Sequence, residues 1–326
     1  MKLSVVIVNY RTPGLVLDAV SSLLDDETLP DGTRILVVDG ASGDDSVLRF
    51  EAAILDRAWF DRVELLPLTV NGGFAYANNR GIEHLRAGGR PSEYTLLLNP
   101  DTYVRPGAAR TLVDFLDAHP RAGIAGSRLE DPDGTMQSCA FRFPNPLGEF
   151  ESEVRFGPAS RILKRFTNVQ PTGDAPERVG WVSGASFMVR QAMLAEIGLM
   201  SEDYFLYYEE VDFCLRAARA GWECWHVPES RVVHLVGQST NVTRRTSKPA
   251  RRPRYWFESR RHYFMSNHGR TYAVLADLAW LSGFGLRRVR RPLRRGADDV
   301  PPHLFKDFLR HSALRASAEG RGSRGD

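Results

Sequence analysis

Residues 3–13 read LSVVIVNYRTP, and this stretch decides the fold class. Val5 to Val8 form a short, unbroken, β-branched run, which is typical of a strand buried on both faces. The run stops at Asn9, and Pro13 then favours the first turn of a helix. The stretch therefore predicts a buried strand that passes through a polar turn into a helix, as at the start of a βαβ unit.

The same alternation continues along the next hundred residues. Buried strands are predicted at 34–38, 63–67 and 94–98, and helices at 15–24, from Asp45 to about 58, and at 75–87. Strands that alternate with helices predict an α/β fold, with a mainly parallel sheet and helices on both faces. Farther along, we predict a helix over 209–220 and a strand region over 227–234.

The rest of the chain divides by composition. Residues 140–178 are richer in Pro, Gly and Arg and lack clear periodicity, so we predict a loop-rich insertion there. Residues 1–242 then form one large domain and 243–316 a basic, largely helical C-terminal extension. The Gly-, Ser- and Arg-rich tail, 317–326, is predicted to be disordered.

Composition limits the class of protein. Of the 326 residues, 43% are hydrophobic and 25% charged, which argues against a disordered, collagen-like or coiled-coil chain. Three widely spaced cysteines favour a reducing compartment and argue against a disulfide framework. No uninterrupted apolar stretch of about 20 residues occurs, so no membrane-spanning helix is predicted.

The net charge of +3 conceals an uneven distribution. Residues 244–295 hold 15 Lys and Arg against 2 Asp and Glu, a net +13, which leaves −10 for the rest of the chain. Such a basic segment predicts an anionic partner: a membrane, nucleic acid or a phosphorylated substrate. Because arginines flank the apolar stretch 272–281, we favour a helix lying on an anionic membrane, with a core-packing helix or a dimer interface as alternatives.

Polar residues recur where the predicted strands end. They are Asn9, Tyr10 and Thr12, then Asp39, Asn71, Asn99 and Asp101. In open α/β sheets the ligand crevice lies beyond the carboxyl ends of the strands, so these residues predict a ligand site. A carboxylate held at a strand end, such as Asp101, is a suitable oxygen ligand for a divalent cation that bridges a diphosphate.

Glu209, Glu210 and Asp212 place three carboxylates within four residues. Mutual repulsion can raise the pKa of one of them into the range of a general base, or the cluster can bind a cation. Glu209 and Asp212 can instead serve a helix start, which leaves Glu210 to face the site. His234 gains weight as a ligand only if it meets Asp101. The sequence has no HExxH, CxxC, GxGxxG or P-loop motif.

Together these motifs resemble the family 2 glycosyltransferases of the GT-A type, in the rhamnosyltransferase branch that builds bacterial surface polysaccharides and cell-wall linkers. The resemblance covers about residues 1–270. Its parts, in order, are SVVIVNY (4–10), VVD (37–39), NGGFAYANNRG (71–81), LNPD (98–101), GA (184–185), FLYYEEVDFCLR (205–216), GW (221–222) and His234.

The resemblance implies a GT-A, Rossmann-like catalytic domain over 1–242, an inverting single displacement and Mg²⁺ or Mn²⁺ as cofactor. It implies that Asp101 and His234 hold the metal and that Glu210, in the acidic cluster, is the catalytic base. It also implies nucleotide-sugar contacts at Asn9, Tyr10, Thr12, Asp39, Asn78, Asn79 and Asn99. Asn99 stands where the family's DXD motif has its first acidic residue, and Gly40 stands where the family often has Asn.

The implied donor is a dTDP-, UDP- or GDP-sugar, with rhamnose from dTDP-rhamnose favoured. The implied acceptor is a saccharide, free or linked to a polyprenyl diphosphate, and the implied location is the cytoplasm or the cytoplasmic membrane face. Three alternatives stay open. A nucleotidyltransferase would need a Gly-rich loop after the first strand, a nucleic-acid-binding protein would need a recognised reader motif, and a degenerate transferase would only bind the donor.

Overall fold

The computed structural model describes residues 1–89, 91–236, 249–290 and 300–315. The strands are β1 (Leu3–Asn9), β2 (Arg34–Asp39), β3 (Val63–Pro67), β4 (Tyr94–Leu98), β5 (Thr102–Val104), β6 (Ala122–Glu130), β7 (Ala140–Phe141), β8 (Glu177–Val179), β9 (Trp181–Val182), β10 (Ser186–Arg190) and β11 (Glu223–His234). The helices are α1 (Pro13–Leu24), α2 (Ser46–Asp56), α3 (Gly73–Ala87), α4 (Ala108–Ala118), α5 (Pro146–Val154), α6 (Gly157–Ile162), α7 (Gln191–Ile197), α8 (Glu209–Arg219), α9 (Arg254–Arg290, broken at Gly269) and α10 (Leu304–His311), with a 3₁₀ turn at Lys164–Phe166.

The central sheet is mixed, with a parallel half that matches the predicted βαβ units. Among the described residues its strand order is β3-β2-β1-β4-β10-β6-β11-β5, with β8 beside β11. Strands β3, β2, β1 and β4 run parallel, while β10 runs antiparallel between β4 and β6. The α/β class, with a mainly parallel sheet and helices on both sides, is confirmed.

Strand pairing brings several chain segments to one edge of the sheet. Asn9 and Asp39, the last residues of β1 and β2, lie side by side in register. Since β10 is antiparallel to β4, its first residue, Ser186, pairs with the last residue of β4, so the turn before β10 reaches the same edge. His234 ends β11 opposite Thr102, directly after Asp101 in the chain. The predicted rim is therefore assembled from five strands.

The chain divides into two compact units. The first comprises the described residues of Met1–Phe141, Pro171–Phe205 and Glu209–Arg244, and the second those of Arg142–Gln170, Leu206–Tyr208 and Arg245–Asp326. The sequence predicted a loop-rich insertion of the large domain over 140–178. Instead, α5 and α6 lie there, and 142–170 groups with the second unit because α5 packs against α9. The predicted boundary at 242–243 and the tail 317–326 lie outside the described residues.

A buried ion-pair cluster joins three helices of the second unit. Arg260 of α9 is 3% exposed, and its guanidinium lies 2.7 Å from Glu149 Oε2 of α5 and 2.5 Å from Asp277 Oδ1. Asp277 Oδ2 accepts the N–H of Ala313, just after α10, at 2.7 Å. Phe308 of α10 stacks on the same guanidinium at 4.9 Å. Each carboxylate therefore depends on Arg260 for charge compensation.

We expect Arg260→Met to lower the free energy of unfolding by about 3–5 kcal/mol, because it leaves Glu149 and Asp277 buried without their counter-charge. Urea denaturation followed by circular dichroism measures this loss. Arg110→Met is the matched control, since Arg110 forms an exposed i,i+4 pair with Asp114 and should cost less than about 1 kcal/mol. Equal losses in the two variants would contradict a stabilising role for the cluster.

No helix within the described ranges is both long enough and apolar enough to cross a membrane.

Candidate active site

The first corner of the site joins the ends of β1 and β2. Asn9 Nδ2 donates to Asp39 Oδ1 at 2.7 Å and to Ser42 Oγ at 3.1 Å, and Asn9 Oδ1 accepts the backbone N–H of Thr12 at 3.1 Å. Ser42 Oγ also donates to Asp39 Oδ1 at 2.6 Å. Both Asn9 and Asp39 are buried, whereas Tyr10 is exposed. Asn9 thus shapes the corner from within instead of lining a pocket, and Tyr10 is the side chain that reaches solvent.

The asparagines of α3 also bond within the protein. Asn78 Nδ2 donates to the Phe74 carbonyl at 2.9 Å. Asn79 Nδ2 donates to the Met200 carbonyl at 2.8 Å, and Asn79 Oδ1 accepts the Met200 N–H at 3.1 Å. The resemblance implied that Asn78 and Asn79 approach the donor. In the structure both side chains are buried, and Asn79 holds the loop at Met200 against α3.

A close backbone contact fixes the segment that leads to the acidic cluster. Gly73 has a φ of 89°, and a Cβ placed there would lie 1.9 Å from the Phe205 carbonyl oxygen. The Phe74 N–H donates to the same oxygen at 2.9 Å. Only glycine permits this approach, because any side chain would meet backbone. The start of α3 therefore sets the position of the chain four residues before Glu209.

Asp101 and His234 meet, as a shared metal site requires. His234 Nε2 lies 3.6 Å from Asp101 Oδ1, and Asp101 is 1% exposed. Gln137 orients the ring: its Oε1 lies 3.2 Å from His234 Nδ1, and its Nε2 donates to the His234 carbonyl at 2.7 Å. A hydrogen bond at Nδ1 leaves Nε2 to face Asp101, which is the usual arrangement of a metal-binding histidine.

These residues fit a partial metal site. One carboxylate oxygen and one imidazole nitrogen suit Mg²⁺ or Mn²⁺ when substrate phosphate oxygens and water complete the coordination. Asn99 lies at the same strand end and is half-buried. Among the described residues, no group of three or more His, Cys, Asp or Glu side chains is placed to hold a metal. A divalent cation at this position would therefore take two ligands from the described residues and the others from substrate or water.

The turn before β10 connects the end of β4 to Glu210. The Asn99 N–H donates to the Ala185 carbonyl at 2.9 Å. The backbone N–H of the preceding residue, Gly184, hydrogen bonds the Glu210 carboxylate. A Cβ on Gly184 would lie 3.7 Å from Glu210 Oε1 and 3.8 Å from the Phe74 ring. Glu210 is therefore held at the same edge of the sheet as Asn99 and the residues that follow it.

The environment of Glu210 raises its pKa. Burial raises the pKa to about 7, although the backbone N–H groups of Glu210, Val211 and Gly184 favour the charged form. Oε2 of Glu210 is buried and has no hydrogen-bond partner within the described structure. Burial, and then the charge of Glu210, raise the pKa of Glu209 well above its usual range. Burial therefore favours the protonated form of Glu209, and Glu210 can gain or lose its proton near neutral pH.

The backbone before α8 is strained. Tyr207 and Tyr208 both have a φ of 70°, a backbone angle that residues other than glycine rarely adopt. Two consecutive residues of this kind cost a few kcal/mol, and such strain concentrates at functional sites. It lies directly before Glu209 and Glu210, so it contributes to aiming the start of the helix.

Asp212, the third acid of the cluster, has a structural role. Its Oδ2 accepts a hydrogen bond from Arg216 Nε at 2.9 Å, one helical turn along α8. Arg216 also donates to the carbonyls of Ile197 and Leu199, both at 2.7 Å. Arg216 thus links Asp212 to the loop at 197–199, and a catalytic role for Asp212 beside Glu209 and Glu210 stays a prediction.

Sequence reasoning missed three groups that position the site. Ser42 connects Asn9 to Asp39, Gln137 orients His234, and the Gly184 N–H bonds Glu210. Gln137 lies 97 residues from His234, and no spacing rule relates the two. Gly184 is part of the GA motif at 184–185, but the hydrogen bond from its backbone N–H to Glu210 has no counterpart in side-chain chemistry that the sequence could show.

The chain is similar to known glycosyltransferases in sequence and in fold. A family model described as "Glycosyl transferase family 2" matches residues 4–157. The N-acetylglucosaminyl-diphospho-decaprenol L-rhamnosyltransferase of Mycobacterium tuberculosis is 31% identical over 274 residues, which cover 78% of this chain and 80% of that protein. The dTDP-rhamnosyl transferase RfbF of Shigella flexneri is 23% identical over 183 residues, 55% of this chain and 54% of that one.

A solved structure shares the fold. The mannosyltransferase PcManGT from Pyrobaculum calidifontis, in complex with GDP-Man and Mn²⁺, superposes with a TM-score of 0.53 at 15% identity. The match covers 91% of this chain and 76% of that chain.

Proposed function

This chain belongs to the family 2 glycosyltransferases, and from that premise we propose that it transfers rhamnose from dTDP-rhamnose to a sugar linked to a polyprenyl diphosphate. The transfer inverts the anomeric carbon and serves cell-surface glycan synthesis. The relative from M. tuberculosis, named for such an acceptor, and the relative from S. flexneri, named for a dTDP-rhamnosyl donor, support this choice.

The placement and the raised pKa of the Glu210 carboxyl group are the observation that carries the proposal. Its Oε2 is buried at the carboxyl edge of the sheet and its pKa lies near 7, where a general base works best. We propose that Glu210 accepts the proton of the acceptor hydroxyl. The hydroxyl oxygen forms its bond to the anomeric carbon while the bond to the donor diphosphate breaks on the opposite face. Glu210 ends the step protonated and returns the proton to solvent.

Asp101 and His234 would hold the divalent metal, with Gln137 keeping the imidazole in position. A bound Mg²⁺ or Mn²⁺ supplies neutralisation of the charge that develops on the departing diphosphate. Asn99, in place of an acidic residue, contributes an amide oxygen at most, so the protein provides one carboxylate fewer. We therefore expect sugar transfer to require the metal, and the protein to bind the metal only weakly in the absence of donor.

Donor recognition is assigned to the corner formed by Tyr10, Thr12 and Asp39. Tyr10 offers an exposed ring for a base or ribose, and Asp39 is held by Ser42 and Asn9. Asn9 acts here by positioning Asp39.

Transfer is tested with purified protein, dTDP-rhamnose and a polyprenyl-diphosphate N-acetylglucosamine in the presence of Mg²⁺. Mass spectrometry of the lipid detects the added deoxyhexose, and NMR of the product gives its anomeric configuration. Parallel reactions with UDP- and GDP-sugars test the donor. Retention of configuration would contradict the direct displacement, and transfer from a different donor only would contradict the choice of dTDP-rhamnose.

Membrane contact is assigned to the outer face of the second half of α9. The outer face of this segment carries four exposed apolar side chains: Leu275, Leu278, Leu286 and Val289. An exposed apolar stripe with arginines beside it favours contact with an anionic bilayer. The cytoplasmic membrane face remains the predicted location.

We expect Leu278→Ser with Leu286→Ser to weaken binding to phosphatidylglycerol vesicles about tenfold, because each change removes exposed apolar area from the contact. Vesicle co-sedimentation measures the change. Leu48→Ser with Leu55→Ser, two exposed leucines of α2, is the matched control and should have no effect. If the α9 variant instead converted a dimer to a monomer and left vesicle binding unchanged, this face would be a dimer interface.

A further inference from the structure

A cavity of about 590 Å³ lies in the second unit, where the first turn of α9 meets α10. Its basic lining residues are Arg251, Arg252, Arg254, Arg261, Arg310 and His311. Glu258 and Asp307 are the acidic residues of the lining. Five guanidinium groups against two carboxylates give the cavity a surplus of three positive charges.

Two of the arginines are matched to the two acids. Arg251 binds Asp307 through two hydrogen bonds of 2.8 Å, and Arg254 Nε lies 2.7 Å from Glu258 Oε1. The surplus therefore comes from the remaining arginines, Arg252, Arg261 and Arg310. Arg252 is half-buried and its guanidinium stacks on Trp256 at 3.9 Å, so its planar fork is held in one orientation.

The positive potential acts on a neighbouring side chain. Burial lowers the pKa of His311, Glu258 opposes this shift, and the charges of Arg254, Arg310 and Arg261 lower the pKa further. His311 therefore stays neutral at pH 7 and adds a hydrogen-bonding group without adding charge. The first turn of α9, which borders the cavity, contributes the positive end of its helix dipole.

We propose that this cavity binds a phosphate-bearing anion of two to three negative charges, either a diphosphate or the phosphate of an acidic lipid headgroup. Several guanidinium groups around one concave site match the charge and the multiple oxygens of such a group, because each fork can bind two oxygens. The inference goes beyond the proposed transfer and does not depend on Glu210, Asp101 or the identity of the sugar.

The test compares two double variants of equal charge change. Arg261→Gln with Arg310→Gln removes two surplus charges from the cavity and leaves both of its ion pairs intact. Arg110→Gln with Arg121→Gln, at two exposed positions of the first unit that do not line the cavity, is the control. Thermal unfolding of each variant verifies its fold, and Arg310→Glu serves as a single exposed substitution if the double variant is unstable.

Titration calorimetry with inorganic pyrophosphate measures binding to the cavity. Saturating dTDP occupies the donor pocket, and no metal is added, so that pyrophosphate does not bind there. We expect the cavity variant to bind pyrophosphate about tenfold more weakly and the control within twofold of wild type. Binding to phosphatidylglycerol vesicles is the second measurement. If the cavity variant binds both pyrophosphate and the vesicles more weakly, the ligand is a lipid headgroup. If it binds only pyrophosphate more weakly, the ligand is a diphosphate. Equal losses in both variants, or no loss in either arm, would overturn the proposal.

Discussion

Glu210→Gln should lower turnover by several orders of magnitude and leave donor binding intact; this is the largest effect that we expect from any single substitution. Gln has the shape of the carboxyl group and can accept the Gly184 N–H, but it cannot take a proton from the acceptor hydroxyl. Loss of a positioned general base typically lowers the rate by about 10²–10⁴-fold. Initial rates of lipid glycosylation measure the loss, and dTDP-induced thermal stabilisation measures donor binding.

Glu209→Gln is the matched control for this experiment. Glu209 is buried beside Glu210, and burial, then the charge of Glu210, raise its pKa well above its usual range, which favours the protonated form. Gln is close in shape to a protonated carboxyl, so this variant should retain turnover within about tenfold of wild type. Comparable losses in the two variants would mean that the acidic pair acts as a unit, and Glu210 would lose its assignment as the single base.

Glu210→Gln should also make the protein more stable above neutral pH. The folded pKa of Glu210 is about 7, above its ordinary value of 4.5, so the favourable contribution of its protonated form is complete below about pH 4.5 and is lost as the pH rises through 7. Glu210→Gln removes that loss, and we expect a gain of about 1–3 kcal/mol at pH 8. A variant that gains stability while it loses activity cannot be explained by misfolding.

Asp101→Asn should uncouple donor binding from metal, which is the second large effect. Asp101 supplies the carboxylate that faces His234 Nε2 at 3.6 Å, and Asn keeps its size without its charge. In wild type, Mg²⁺ or Mn²⁺ should strengthen dTDP binding. In the variant we expect this enhancement to disappear and turnover to fall about 10²-fold or more, since stabilisation of the leaving diphosphate is lost.

Thermal shifts with dTDP, with and without metal, give a readout that is independent of turnover. Asp174→Asn is the control, because the Asp174 side chain is fully exposed and neutralising it removes the same charge. If Asp101→Asn preserved the metal enhancement, Asp101 would not be a ligand. If wild type showed no enhancement with either cation, the assignment of Asp101 and His234 would be wrong.

The regular half of the sheet was predictable from sequence because its signals are local. β3 and β4 occupy the ranges predicted for them, Val63–Pro67 and Tyr94–Leu98, since each is a short, mainly apolar run bounded by polar or turn residues. β6 was not predicted. Its residues at 122–127 are mostly small, with little intrinsic strand preference, and pairing with β10 and β11 determines their conformation.

The site was predictable only where residue identity carried the signal. Asp101 and His234 were predicted to meet, and they do, because β11 ends beside the first residue of β5, which directly follows Asp101. The pKa of Glu210 was expected to rise through repulsion from its acidic neighbours, but burial is the main cause. The roles of Asn79 and Asp212 depend on partners at Met200 and Arg216, which only the folded chain identifies.

The pH dependence of kcat/KM for sugar transfer, measured from pH 5.5 to 8.5, tests most directly whether Glu210 is the base. The base must be ionised to act, so kcat/KM should rise tenfold per pH unit below pH 7 and level off above it, with an apparent pKa near 7. Glu209→Gln should show the same rise. A wild-type rate that is flat over this range would mean that a carboxyl with an ordinary pKa, or no base at all, serves the reaction, and Glu210 would not be the base.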